Sequence, residues 1–403
     1  MAMKIGILRE TKTPPDRRVP FAPAQLRELM RQYPGVEVVV QPSTLRAYSD
    51  DEYREAGIPL QEELNDCDVL MGVKEVKSDT LLPGKTYFFF SHTAKKQPYN
   101  RGLLREVLRR RIRLVDYEYL TTPGGARVVA FGRWAGIVGA YNALRAWGER
   151  TGTFSLRPAW QCHDRQEMTA QLRQVKLPPL RILITGGGRV AYGALETLEP
   201  LALRRVAAEE FLTAVYDEPV VCRIDPDHYV VRRDLRPFSL NDFFEHPDAY
   251  RSVFLPYTRV TDLFIACHYW DPRSPVFMRS EDYRRPGFAM KVIADVSCDI
   301  GGPIPSTLRA STIEQPFYGY DPRSGEETEP FREDAVTVMA VDNLPGELPR
   351  DASEDFGRML LEHVMPALLG DDRDGIIDRA TIAEDGNLTP RFSYLQDYVE
   401  GKE

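Results

Sequence analysis

Several residues in this chain have the types and spacing that act on a small polar substrate. Lys74 and His92 each follow the C-terminal end of a predicted strand, the edge at which parallel sheets hold their ligands. A lysine drawn out of water has a lowered pKa, and a histidine exchanges a proton near neutral pH. Arg18 lies between a predicted strand and a helix opened by Pro23, and its planar fork suits a substrate carboxylate. Asp299 stands in the loop after a strand predicted over 291–296, on the edge where a nicotinamide would lie. Each residue also has a plainer role open to it: a solvated loop lysine, a hydrogen-bonded histidine, a surface arginine, an aspartate capping a turn.

A second kind of chemistry is written in RILITGGGRVAYGA, from Arg181 to Ala194. Ile182, Leu183 and Ile184 signal a short buried strand, three glycines follow, and a helix begins at Arg189 and Val190. Strand, glycine turn and helix in that order make a dinucleotide-binding unit. Gly186 permits the tight turn and Gly188 lets backbone approach a pyrophosphate, while the helix start offers unpaired N–H groups to the anion. The motif is G-x-G with Ala191 in the third place and Gly193 just beyond it. An ordinary glycine-rich turn is the alternative.

The elements that must position these residues alternate. Strands are predicted over 3–8, 36–40, 68–73, 86–90 and 112–115, with helices after Pro23, Ser49 and Asn100 between them. Ser49 and Glu52 fit a capping box, and Asn100 is placed to cap the helix that carries Leu103, Leu104 and Val107. That rhythm implies a parallel α/β domain. Residues 132–147, rich in Gly and Ala, read as a helix joining two domains. After the glycine turn a weak strand is expected near 205–207 with a helix from Glu209, then strands over 263–266, 291–296 and 336–341, and a helix capped by Ser353. Residues 230–257 read as an insertion, and the tail, with Tyr394 and Leu395, as packing back on the first domain.

The 403 residues are enough for two packed domains. A net charge of −8 without any basic tract argues against a nucleic-acid partner. No run reaches membrane-spanning length, so no membrane partner is expected. The opening MAMKIGILRE enters a strand at once and is not read as a signal peptide. The five cysteines form no CxxC pair and the histidines no H-E-x-x-H. The expectation is free thiols, no metal and a cytoplasmic location.

Longer motifs carry a family resemblance. GILRETKTPPDRRVPFAP resembles the opening of the alanine dehydrogenase and transhydrogenase superfamily. YFFFSHTAKKQPYNRGLL, IRLVDYEYL, RVVAFGRWAGIVGAYNAL, IADVSCDIGGPIP and VDNLPGELPRDASEDFG resemble its lysine–2-oxoglutarate reductase and saccharopine dehydrogenase branch. The resemblance implies an α/β fold of two Rossmann-like parallel-sheet domains with a cleft between them. A substrate domain would comprise 1–150 plus 345–403, and a dinucleotide-binding domain 151–344. It further implies Lys74 and His92 as the catalytic pair, with Arg18, Arg127 and Phe131 on the substrate side. Asp299 would lie near the nicotinamide, and Gly186, Gly188, Arg189, Val190 and Gly193 at the dinucleotide turn. Its function would be NAD- or NADP-dependent reduction of the imine formed by L-lysine and 2-oxoglutarate. An alanine dehydrogenase-like or other opine-type reaction, and a nucleotide-binding regulatory protein without turnover, are the rival readings. The acid that would grip the adenine ribose is not obvious: Glu209 and Glu210 stand at about the right distance but start a helix, whereas Arg204 and Arg205 would suit a 2′-phosphate.

Overall fold

A computed structural model describes residues 3–402; Met1, Ala2 and Glu403 lie outside it. The chain divides into two compact units, one made of the residues up to Phe131 and those from Pro349 on, the other of Gly132–Leu348.

In the first unit, runs such as VEVVV and TYFFF, β-branched or aromatic apart from Glu37, form strands whose central residues are buried on both faces. Five strands pair in parallel in the order Val36–Val40, Met3–Ile7, Val69–Lys74, Thr86–Phe90, Arg113–Asp116. The order reverses between Met3–Ile7 and Val69–Lys74. A crevice for ligands therefore opens at the C-terminal ends of those two strands. The C-terminal part of the chain completes the sheet, with Thr381–Glu384 antiparallel to Arg113–Asp116 and Asn387–Leu388 beyond it. The tail also packs on this unit, where Leu395 is buried and the Tyr394 hydroxyl donates to the Ala94 carbonyl at 3.1 Å.

Two local expectations change here. Ser49 and Glu52 do form the reciprocal capping box, but Asn100 makes no capping bond, and its side chain is buried instead. Ser353 does not start a helix. Helix Pro349–Met359 begins at its proline, and Ser353 sits inside it, donating to the Pro349 carbonyl at 2.6 Å and accepting from the Val19 N–H at 2.9 Å. A hydroxyl that ties the helix to a distant loop looks the same in sequence as a cap.

The second unit holds an eight-stranded sheet ordered Glu327–Thr328, Phe317–Tyr320, Val336–Met339, Val292–Asp295, Leu263–Ala266, Arg181–Thr185, Val220–Ile224, Arg204–Arg205. Its six inner and outer strands from Val336–Met339 to Arg204–Arg205 are parallel, and the other two are antiparallel. The strand beside the glycine strand is Val220–Ile224, not the short strand near 205, which lies one place further out. Val230–Arg232 and Tyr250–Ser252 form a separate antiparallel hairpin within the expected insertion.

Helix Gly132–Thr151 belongs wholly to this second unit, so the boundary falls at Gly132, earlier than the expected 150. The reason is its contact with helix Arg189–Leu198. A Cβ at Gly136 would run into the Val190 carbonyl, and one at Gly193 into the Arg133 carbonyl. The two helix backbones touch, which only glycine allows. Thr197 adds a hydrogen bond across the pair to the Ile137 carbonyl at 2.9 Å. Among the described residues no helix is long and apolar enough to cross a membrane.

Candidate active site

The first unit gathers its charged groups at the C-terminal edge of its parallel strands. Lys74 ends strand Val69–Lys74. Among the described residues its ammonium makes no hydrogen bond or ion pair. Burial, followed by the charge of the Arg18 guanidinium, holds it below its ordinary pKa, against the pull of Asp16. A lysine in that state is a donor still available to a ligand.

Arg18 is buried at 3% exposure, and Asp16 beside it likewise. Arg18 Nε and Nη2 reach the two Asp16 carboxylate oxygens at 3.0 and 2.6 Å. Burial pushes the Asp16 carboxyl up, but Arg18 and Lys74 more than reverse that and hold it far below the usual range. The Arg18 guanidinium also lies 4.3 Å from the centre of the Phe131 ring, a cation–π contact. Phe131 stacks in turn on Phe356, ring centres 4.4 Å apart and planes 13° apart. Arg18 and Phe131, both expected on the substrate side, are thus one stacked assembly.

His92 follows strand Thr86–Phe90 and adopts a left-handed backbone, φ 53°. Histidine enters this region at some cost, and the neighbours hold it there. The Ser91 N–H and hydroxyl both donate to Asp116 Oδ2, at 3.0 and 2.5 Å, and the Thr93 N–H donates to the Ser91 hydroxyl at 3.3 Å. The ring Nδ1 stands 3.7 Å from Glu75 Oε2, and Glu75 also takes a 2.5 Å bond from Lys12. Burial raises Glu75, but His92 and Lys12 outweigh it and bring the carboxyl down to about 2. An ionised carboxylate therefore faces the imidazole. Arg127 lies further out: exposed, and 2.6 Å from Glu118, which Lys95 also contacts at 3.1 Å.

Lys74, His92, Arg18 and Phe131 thus belong to one edge of one unit. Several members of that edge carried no signal of their own. Asp16, Glu75, Asp116 and Glu118 each lie within two residues of a strand end or of a named candidate, and Lys12 further off in the loop after Met3–Ile7, but a loop residue has no local mark of which side chain it will face.

The glycine turn belongs to the second unit, at the C-terminal end of Arg181–Thr185, where the strand order reverses against Leu263–Ala266. Gly186 has φ 104°, and a Cβ there would lie 2.6 Å from the Cys267 carbonyl oxygen. Nothing stands within 4 Å of a Cβ at Gly188, so its exposed backbone is open to a ligand at the N-terminus of helix Arg189–Leu198. Arg189 is exposed and Val190 half-buried on the first turn. Gly193 is buried, with the Arg133 carbonyl where a Cβ would stand, so it is needed for helix packing.

The ribose-gripping acid has a candidate that sequence reasoning missed. Asp225 directly follows Val220–Ile224, the strand beside the glycine strand. A Cβ at Gly187 would lie 2.5 Å from Asp225 Oδ1, and Arg223 Nη1 binds both that carboxylate, at 2.5 Å, and the Gly186 carbonyl, at 3.1 Å. Arg204, by contrast, is turned to Glu210 and Glu218 on the outer strand, 2.5 and 3.4 Å away. Glu209 and Glu210 lie in helix Ala208–Thr213 and not at the end of a strand beside the turn. A strained glycine, an open one and an acid at the adjacent strand end fit a nicotinamide dinucleotide. Asp299 is half-buried in the loop after Val292–Asp295, and burial raises its carboxyl. Among the described residues no group of three or more His, Cys, Asp or Glu could hold a metal ion. All five cysteines are free.

Comparison with known proteins agrees with this architecture. Residues 6–138 match the family model for the alanine dehydrogenase/PNT N-terminal domain. Over 99% of the chain, 31% of residues are identical to the mitochondrial alpha-aminoadipic semialdehyde synthase of Bos taurus, covering 48% of that protein. The Arabidopsis thaliana alpha-aminoadipic semialdehyde synthase is 30% identical over 97% of the chain and 41% of its own length. The chain therefore spans about half the length of these relatives. Saccharopine dehydrogenase [NAD(+), L-lysine-forming] of Emericella nidulans is 26% identical over 91% of each chain. Among solved structures, an L-alanine dehydrogenase superposes with TM-score 0.68 and 18% identity over 100% of both chains. The Sinorhizobium meliloti transhydrogenase gives 0.60 and 16% over 96% of this chain and 100% of its own. These two establish the fold: two-domain, Rossmann-like α/β. The expected cytoplasmic location is overturned, because the relatives from Bos taurus, Mus musculus and Rattus norvegicus are mitochondrial proteins.

Proposed function

The chain belongs to the alanine dehydrogenase/transhydrogenase and saccharopine dehydrogenase superfamily of NAD(P)-dependent oxidoreductases, and from that premise we propose that it joins the ε-amine of L-lysine to 2-oxoglutarate and reduces the resulting imine to saccharopine, or runs the same steps in reverse. The observation that carries the proposal is the unpartnered ammonium of Lys74 beside the Arg18–Asp16 pair, on the same sheet edge as a carboxylate-backed His92.

The residues divide the work as follows. Lys74 donates to the keto oxygen, orients the acid and stabilises the negative charge that grows as the amine adds. His92 moves the protons: it protonates the carbinolamine hydroxyl, which leaves as water, and it takes a proton from the amine in the opposite direction. Glu75 faces the imidazole Nδ1 at 3.7 Å and fixes the side of the ring turned away from the substrate. Arg18, braced by Asp16 and Phe131, sets the position of a substrate carboxylate. Gly186, Gly188, Arg189, Val190 and Asp225 would hold the nicotinamide dinucleotide, with Asp299 near its ring, and when bound it would supply the hydride. NAD is the proposed form, because the Asp225 carboxylate suits a ribose hydroxyl and repels a 2′-phosphate.

One panel of assays tests this. Purified protein is mixed with NADH or NADPH, with pyruvate, glyoxylate or 2-oxoglutarate, and with ammonia, alanine or lysine, and the products are identified by mass. Saccharopine from lysine and 2-oxoglutarate, faster with NADH, is the expected result. Alanine formed from pyruvate and ammonia alone would replace the lysine reading with an alanine dehydrogenase-like one. Cofactor binding without turnover on any pair would point to a regulatory protein.

A further inference from the structure

We propose that Glu10 is a positioning residue for Lys74, its carboxylate replacing a missing backbone neighbour at the end of the lysine's strand. Strand Val69–Lys74 pairs with Met3–Ile7 only as far as Met71, and the last rung there is the Leu8 N–H on the Met71 carbonyl at 2.9 Å. On its other edge the register slips: Met71 opposes Phe88 but Lys74 opposes Phe90, three steps against two. That extra residue is a β-bulge, which disrupts the ladder and re-aims the side chains beyond it.

In a regular strand, successive N–H groups point to opposite edges. At this bulge the N–H groups of Val73 and Lys74 both point to Glu10, reaching Oε1 at 2.6 Å and Oε2 at 3.0 Å. Backbone donors inside a protein must be satisfied, and the diverging first strand offers none of its carbonyls here. Glu10, three residues past Ile7 in the chain, reaches back across the gap with both oxygens. It therefore sets the direction in which Lys74 leaves the sheet. The groups around it are Asp16, Arg18 and Tyr117. Burial, with Asp16 behind it, raises the Glu10 carboxyl to about 8 against the two N–H bonds, so its hold slackens as the pH falls below that.

The role of Lys74 rests on the function proposed above, but the Glu10 bridge has a test that does not. Amide exchange, resolved by residue through mass-spectrometric fragmentation, is measured above pH 8 in wild type, Glu10→Leu and Glu10→Gln. Exchange at Val73 and Lys74 should quicken about 10- to 100-fold in Glu10→Leu, the range for a lost hydrogen bond to a charged group. Val69–Met71 should be unchanged. Glu10→Gln, which keeps one acceptor, should fall between, and it carries the test if the leucine variant does not fold. In turnover, Glu10→Leu should lower kcat and leave the KM for reduced cofactor alone, with partial rescue in Glu10→Gln. Unchanged exchange at both amides, or equal quickening along the whole strand, would overturn the proposal. Failure of wild type to use lysine and 2-oxoglutarate would remove the reaction but leave the exchange result to decide the bridge.

Discussion

At the C-terminal edge of the first unit's parallel strands, side chains carry everything: an arginine paired with Asp16, a histidine facing Glu75, and a lysine whose ammonium is unpaired among the described residues while its backbone N–H is held by Glu10. At the same edge of the second unit, side chains are withdrawn, and three glycines in a row leave bare backbone beside one aspartate. The two sheets follow the same switch-point rule, so topology alone does not explain the difference. An edge that moves protons needs titratable groups held at set positions, and their charges need partners inside a partly dehydrated site. An edge that holds a dinucleotide needs close approach to phosphate, which only backbone N–H groups without Cβ atoms allow. The first edge should therefore be sensitive to chemical identity and pH, and the second to added volume and charge.

The sharpest way to break this comparison is His92→Gln. Turnover should fall about 10²–10⁴-fold, while cofactor affinity, titrated by protein fluorescence, stays as in wild type. Equal loss of both would mean that the two edges are not separate devices.

Gly188→Asp should do the reverse. A carboxylate placed over exposed backbone brings like charge and bulk to a pyrophosphate, and affinity for NADH should drop by about tenfold or more. Pocket space is open there, so the folded state should survive, as read by thermal unfolding. Retained affinity would remove the glycine turn as the phosphate site.

Asp225→Ser sharpens the second edge further. Losing the carboxylate while keeping Arg223 should weaken NADH and favour NADPH, changing the preference by about tenfold. The ratio of the two dissociation constants is the measurement, and an unchanged ratio would place the ribose elsewhere.

The smallest expected effect is a pH shift. Burial and Arg18 hold the Lys74 ammonium below the ordinary lysine value, so its reactive neutral form is present at lower pH than for exposed lysines. Trinitrobenzenesulfonate labelling, followed by peptide mapping, should find Lys74 modified with a midpoint below 10.5, the ordinary value. Arg18→Leu should move that midpoint upward, because a repelling cation is gone. A midpoint that stays in place would separate Lys74 from the arginine.

Much of the first edge was legible because its signals are local. Side-chain alternation and β-branching mark strands wherever they pair, so Val36–Val40 and Thr86–Phe90 were read to the residue. Ser49 and Glu52 close a box through their own backbone. Lys74 and His92 stand out because a polar residue ends a buried run. Gly186 to Gly188 announce a turn whatever surrounds them.

What the amino-acid sequence determined by itself is therefore the five parallel strands of the first unit, the glycine turn and the family they resemble, whereas strands Val220–Ile224, Phe317–Tyr320 and Thr381–Glu384 had no counterpart among the expected elements. Tertiary structure alone decided which strand stands beside the glycine strand. A strand and a helix, Arg204–Arg205 and Ala208–Thr213, come between the turn and Val220–Ile224, so spacing along the chain pointed to Glu209 and Glu210 instead of Asp225. It also decided that helix Gly132–Thr151 packs with the second unit, that Ser353 ties a helix to Val19 rather than starting one, and that Glu10 reaches across to Val73 and Lys74. The physical reason is common to all four. Propensity and turn chemistry act within a few residues, whereas strand order, helix contact and the partner of a buried N–H depend on surfaces brought together from distant parts of the chain.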